Sequence, residues 1–201
     1  MYHYVREIKK TNFPKLNVLK FSEFKNQLDY LQKNFNILNF EDFIYFIKNK
    51  KKLPKNSCML TFDDGYKDHI KYVFPELVKR KIGGLFFPSA KAVFENVIMD
   101  ADYIHLIIAS ISDNKILIKK LDLLCKLNGF TEADIKANWK KYGIATRFDT
   151  KEIRYVKGVL QNMLPLKTRN KILKGLFKSF VKLEPEIVSK NLYLSQKDLK
   201  I

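Results

Sequence analysis

Cysteine, glycine, proline and histidine are all scarce in this chain, and each shortage narrows what it can be. Two cysteines, Cys58 and Cys125, cannot build a disulfide framework and fit a reducing compartment. Seven glycines and six prolines in 201 residues leave few forced turns, so long helices are expected. The three histidines, His3, His69 and His105, include no His-x-x-x-His pair, so nitrogen ligands for a transition metal are few. No apolar run approaches a membrane span, since Tyr103 to Ile111 is far too short. The charged and aromatic start, Met1 to Lys10, has no apolar segment of the secretory-leader type. A cytoplasmic location, peripheral to a membrane at most, is the expectation.

Acidic residues are also in deficit. Against 21 Asp and Glu stand 38 Lys and Arg, a formal net charge of +17. Lys48, Lys50, Lys51, Lys52 and Lys55 form one cluster, and Lys167, Arg169, Lys171, Lys174, Lys178 and Lys182 another. In the second, Ile172, Leu173, Leu176, Phe177, Phe180 and Val181 share a helical face, and no acid occurs from Pro165 to Lys182. Two readings fit that pattern: a helix lying on an anionic membrane surface through 165–182, or one docked on its own domain with a solvated basic face. No nucleic-acid motif accompanies the charge, so nucleic acid is not an expected partner.

What the chain does have is Leu60-Thr61-Phe62-Asp63-Asp64-Gly65-Tyr66, an apolar run ending in two adjacent carboxylates and a glycine. Cys58 to Phe62 reads as a buried strand, bounded by Pro54 and Asn56 before it and Asp-Gly after it. Asp63 and Asp64 then stand at its C-terminal end, where parallel α/β architectures gather their chemistry. Neighbouring carboxylates leaving a strand point in different directions, so one can hold a metal while the other faces water or substrate. The plainer alternative is turn chemistry, with either Asp capping the helix that follows.

The run Thr61 to Tyr66, with Tyr72-Val73-Phe74-Pro75-Glu76-Leu77 and Gly83-Gly84-Leu85-Phe86-Phe87 after it, resembles the polysaccharide deacetylase family. That family is also called the NodB-homology domain or carbohydrate esterase family 4. Met1-Tyr2-His3-Tyr4-Val5 and Leu53-Pro54 are similar to members acting on cell-surface glycans, and the likeness covers roughly the first ninety residues. It implies an α/β fold, a partial (β/α) barrel carrying a mainly helical insertion. It further implies a hydrolase that removes acetyl groups from N-acetylated sugars of a surface polysaccharide or its precursor, using a divalent metal such as zinc. By the same resemblance Asp63 is the general base, Asp64 a metal ligand, and His3 and Tyr66 lie on the substrate side. The family's histidine pair comes from a later segment that these residues lack. The remaining ligands are therefore expected from further chain or a complementary C-terminal polypeptide. The alternatives are a catalytically silent remnant and a basic membrane- or glycan-binding module.

Three regions are expected. Residues 1–99 form the barrel part, with a strand at Met1 to Val5, helices after Ser22 and Asn39, a short strand at Ile37-Leu38, a helix ended by Gly83, and a strand at Leu85 to Phe87. Residues 100–194 form a helical insertion with helices over 100–112, 114–128, 131–142, opened by the capping box Thr131-Glu132-Ala133-Asp134, and 149–163, in which Leu106, Ile107, Trp139 and Phe148 pack and His105 is structural. Residues 195–201 open a truncated helix on the capping box Ser195-Gln196-Lys197-Asp198. His69 is expected at the surface.

Overall fold

The computed structural model describes residues 1–7 and 12–200. The chain divides into two compact units, one comprising Met1–Thr11, Asn17–Val97 and Pro185–Ile201, the other Asn12–Leu16 and Ile98–Glu184.

The first unit alternates strands and helices in the order β1 (Val5–Arg6), β2 (Leu19–Lys20), α1 (Phe21–Asn34), β3 (Asn36–Ile37), α2 (Phe40–Lys48), β4 (Ser57–Cys58) and β5 (Thr61–Asp64). It continues through α3 (Phe74–Arg80), β6 (Leu85–Pro88) and α4 (Ala90–Glu95). The ladders β1–β2, β3–β4 and β5–β6 are all parallel. Phe62 of β5 pairs with Phe86 on one side and bridges Tyr2 on the other. The backbone N–H of Tyr2 donates to the Thr61 carbonyl at 2.8 Å and that of Asp63 to the Tyr2 carbonyl at 2.9 Å. Strand β5 is thus held on both edges, which is what fixes the acidic motif.

The core beneath it comprises Val5, Phe24, Leu28, Leu60, Phe62, Val73 and Leu77. Phe24 and Leu28, at i and i+4, put one face of α1 into this core. The Phe62 ring stacks between Tyr2 and Phe86, at 5.3 and 4.8 Å between centroids.

Several expectations shift. The strand read as Cys58 to Phe62 is split, because Ser57–Cys58 pairs with β3 whereas Thr61–Asp64 pairs with β6. Both acids belong to β5 itself instead of following it. Helix α3 ends before Gly83, since Lys81 turns left-handed at φ +55° and its N–H closes on Leu77 and Val78. Helix α1 starts at Phe21, ahead of Ser22. Asn39 does cap α2, its Oδ1 accepting from the Asp42 N–H at 2.7 Å.

The second unit is helical: α5 (Asp100–Ala109), α6 (Asn114–Lys126), α7 (Glu132–Tyr142), α8 (Lys151–Gly158), extended by a π-helical turn Val159–Met163, and α9 (Leu166–Phe180). Thr131 and Asp134 form the expected box at the start of α7, and Gly129, at φ +93°, follows α6. Leu106, Ile107, Leu117, Leu121, Val159, Leu160 and Leu176 are buried. Trp139 stacks on Tyr155 at 4.1 Å, and the Tyr155 hydroxyl donates to Asp122 at 2.6 Å. Phe148 does not pack as expected: it is 72% exposed in the α7–α8 loop, where no helical periodicity governs which side chain faces inward.

Pro185–Leu192 forms a further helix, α10, which the sequence had not signalled. It falls in the unit that carries the acidic motif, and the helical unit ends at Glu184. Across the described residues the fold is mixed and mostly helical, with short parallel ladders and no closed barrel.

Candidate active site

The end of β5 separates the two carboxylates by backbone conformation alone. Both stay in the ladder, Asp63 in register with Phe87 and Asp64 with Pro88. Asp64 turns left-handed at φ +71°, and Gly65 follows at φ +70°. Aspartate is among the few non-glycine residues that tolerate this region. Gly65 is required for a second reason: a Cβ there would lie 2.6 Å from the Pro88 Cβ.

The two carboxylates therefore meet different partners. His3 Nδ1–H donates to Asp64 Oδ2 at 2.8 Å, with both side chains part exposed. Among the described residues the half-exposed Asp63 carboxylate has no hydrogen-bond partner. Tyr66 is buried and stacks on Tyr4 at 4.0 Å and on Tyr193 at 5.7 Å. The Leu194 N–H donates to the Gly65 carbonyl at 2.8 Å. Tyr66 packs within the turn, and His3 is the residue that reaches Asp64.

Three residues that the sequence did not place at the site hold this arrangement. Arg6 Nε donates to Asp68 Oδ2 at 2.7 Å, with both side chains nearly buried. Burial pushes the Asp68 carboxyl above its ordinary range, and the adjacent guanidinium together with the Val5 N–H partly offsets this. His69, expected at the surface, is instead 1% exposed and lies edge-on to Phe62 and Tyr66. Its Nε2 meets the His3 carbonyl at 2.9 Å, and because a carbonyl only accepts, Nε2 carries the proton. Nδ1 is buried with no partner. The N-terminal strand is in this way clamped onto the motif at Tyr2, His3, Tyr4 and Arg6. His69 opens a π-helical turn, His69–Val73, and its ring packs against Phe62, Tyr66 and Phe86 instead of facing solvent.

Burial pushes the His69 imidazole below its ordinary value of 6.5, with the His3 carbonyl opposing it. The unfolded chain then binds the proton more readily than the folded one, so stability rises with pH through this window. Stability is expected to be full above about pH 6.5 and to fall as pH drops from there toward the lowered folded value. His69→Gln, which cannot titrate, should lose less stability between pH 7.5 and pH 5 in urea unfolding. Equal losses in both proteins would show that charging of His69 is not linked to unfolding.

No family model matches the chain, and no curated protein does. Among solved structures, a de-N-acetylase from Aggregatibacter actinomycetemcomitans is similar over 46% of this chain, with 21% identity and a TM-score of 0.38. The matched region spans 37% of that structure's chain.

A catalytic zinc site takes three protein ligands and an open position. Here His3 Nδ1 and Asp64 Oδ2 converge, but no group of three or more His, Cys, Asp or Glu able to hold a metal occurs among the described residues. The donors present do not by themselves fit a catalytic metal. His69, buried with its Nε2–H on the His3 carbonyl, does not join them in a three-donor group among the described residues.

The 165–182 helix uses its apolar face internally. Ile172, Leu173, Leu176 and Phe177 of α9 are buried, and Tyr103 of α5 meets Phe177 edge-on at 4.9 Å. Lys167, Lys171, Lys174, Lys178 and Lys182 remain exposed. No helix among the described residues is long and apolar enough to cross a membrane.

Proposed function

We propose that the end of β5 is the acid–base half of a deacetylase site that hydrolyses the amide of N-acetylated sugars in a surface polysaccharide or its precursor. The observation that supports this most is the unequal treatment of two adjacent carboxylates. Asp64 is bound by His3, whereas Asp63 is left without a partner on a backbone anchored at both strand edges. A carboxylate so held can take a proton from the water that adds to an acetyl carbonyl, and return it as the C–N bond breaks and the amine leaves. The motif from Thr61 to Tyr66 and its likeness to the polysaccharide deacetylases support the substrate class.

In this reading the metal expected for the family is completed by ligands from outside the described residues, with His3 and Asp64 contributing the donors on this chain. The test is to express the full-length natural polypeptide containing this sequence, and to measure zinc content and acetate release from acetylated aminosugar oligomers. Acetate release with bound zinc is the expected result. Absence of both would favour the silent-remnant reading, which the two-donor cluster also accommodates.

A further inference from the structure

Helix α2 is apolar yet poorly covered. Phe40, Phe43, Ile44 and Ile47 fall at i, i+3, i+4 and i+7, the spacing of a single face, but no residue of the helix is buried. Phe40 is 49% exposed, Ile47 56%, and Leu53 just beyond 42%. The segment that follows carries Lys48, Lys50, Lys51, Lys52 and Lys55, all exposed, with no acid among them. This is an ordered corner. Asn49 Nδ2 donates to the Tyr45 carbonyl at 2.8 Å, Lys50 turns left-handed at φ +51°, and the Lys51 N–H returns to the Phe46 carbonyl at 2.9 Å. Lys51 Nζ donates to the Tyr45 hydroxyl and lies 4.7 Å from the centre of its ring. The two acids of the helix, Glu41 and Asp42, are confined to its first turn.

Apolar side chains and cations in one short segment call for a partner that satisfies both. A second copy does not, because a symmetric contact through this face would bring the same lysines together on chains that each carry +17. A soluble polyanion would pair the lysines but leave Phe40 and Ile47 in water. An anionic bilayer takes apolar side chains at the acyl boundary and cations among the headgroups.

We propose that the corner formed by α2 and residues 49–55 docks on an anionic phospholipid surface, with Phe40 and Ile47 entering the acyl boundary and Lys48, Lys50, Lys52 and Lys55 facing the headgroups. This assigns membrane contact to α2 and leaves α9, whose apolar face is already buried, without that role. It does not depend on the deacetylase reading.

The experiment is co-sedimentation of the 201-residue chain with vesicles of phosphatidylcholine alone and of phosphatidylcholine with one-third phosphatidylglycerol. Binding should be at least about tenfold tighter to the anionic vesicles and weaken in high salt. Replacing Lys50, Lys52 and Lys55 by Gln should weaken it roughly 100-fold. The double variant Phe40→Ser with Ile47→Ser should weaken it by about tenfold or more. Both variants alter exposed side chains, and an unchanged circular dichroism spectrum confirms that they fold. Absence of binding to anionic vesicles overturns the proposal. So does binding that survives both α2 variants but is lost on neutralising Lys171, Lys174 and Lys178. Equal binding of polyphosphate by wild type and the serine variant, with no vesicle binding, would assign the surface to soluble polyanions. Concentration-dependent self-association abolished by the serine variant would assign it to a second copy.

Discussion

Gly65→Ala is expected to lower the unfolding free energy by about 2–5 kcal/mol, the sum of a left-handed backbone penalty and overpacking. Gly65 has φ +70°, and a methyl there would stand 2.6 Å from the Pro88 Cβ and 2.8 Å from its Cα. Pro88 cannot easily yield, because it closes the β5–β6 ladder opposite Asp64. Gly129 supplies the control: it is also left-handed, at φ +93°, but has nothing within 4 Å of the position a Cβ would take. Gly129→Ala should therefore lose only the backbone part, about 1–2 kcal/mol. Urea unfolding of the two variants measures the difference. Equal losses would mean that β5 and β6 do not approach this closely at the motif, and that the turn holding Asp64 is less constrained than the ladder implies.

The parts of this fold that were legible in the sequence are those set by nearest neighbours. Asn39 and Thr131 were readable as helix caps because a cap is a three-residue event, and both make the expected bonds. The apolar run before Asp63 was readable as a strand, but its change of partner from β3 to β6 was not, since hydropathy does not encode which neighbour a strand takes. Ser195 and Asp198 form the anticipated box, with the Ser195 N–H and hydroxyl both donating to Asp198 at 2.7 and 2.8 Å. It opens only a 3-10 turn, Asp198–Lys200, and Ile201, included in the expected helix, lies outside the described residues.

The supports of the site were hidden for a different reason. Arg6 and Asp68 are 62 positions apart, and only the parallel docking of the N-terminal strand beside β5 makes them partners. His69 is not legible as buried because a lone histidine is ordinarily a surface residue, and its carbonyl partner, at His3, lies 66 positions away. A signal was present in hindsight: an arginine ending the first strand and an aspartate four residues past the acidic pair are two charges near a core with few other partners. Their burial makes the clamp sensitive to removal of either one, since a lone buried charge is far more costly than the pair.

On the proposed deacetylase reading, Asp63→Asn is expected to reduce acetate release by the full-length natural polypeptide about 10²–10⁴-fold, the usual worth of a positioned general base. The substitution keeps the size of the side chain, and the backbone bond from the Asp63 N–H to the Tyr2 carbonyl at 2.9 Å does not involve the carboxylate, so the strand should be undisturbed. An amide cannot accept the proton that the proposed base would take, which makes the expected loss one of turnover and not of folding. KM should stay near wild type while kcat falls, and zinc content should be unchanged. Asp64→Ala should behave differently, because it removes the acceptor of the 2.8 Å bond from His3 and one of the two converging donors, so zinc content and activity should fall together. Wild-type turnover in Asp63→Asn would reduce the acidic pair to turn chemistry. Loss of zinc in both variants would instead make Asp63 a ligand, and the division of roles between the two carboxylates would have to be redrawn with Asp63 inside the donor set.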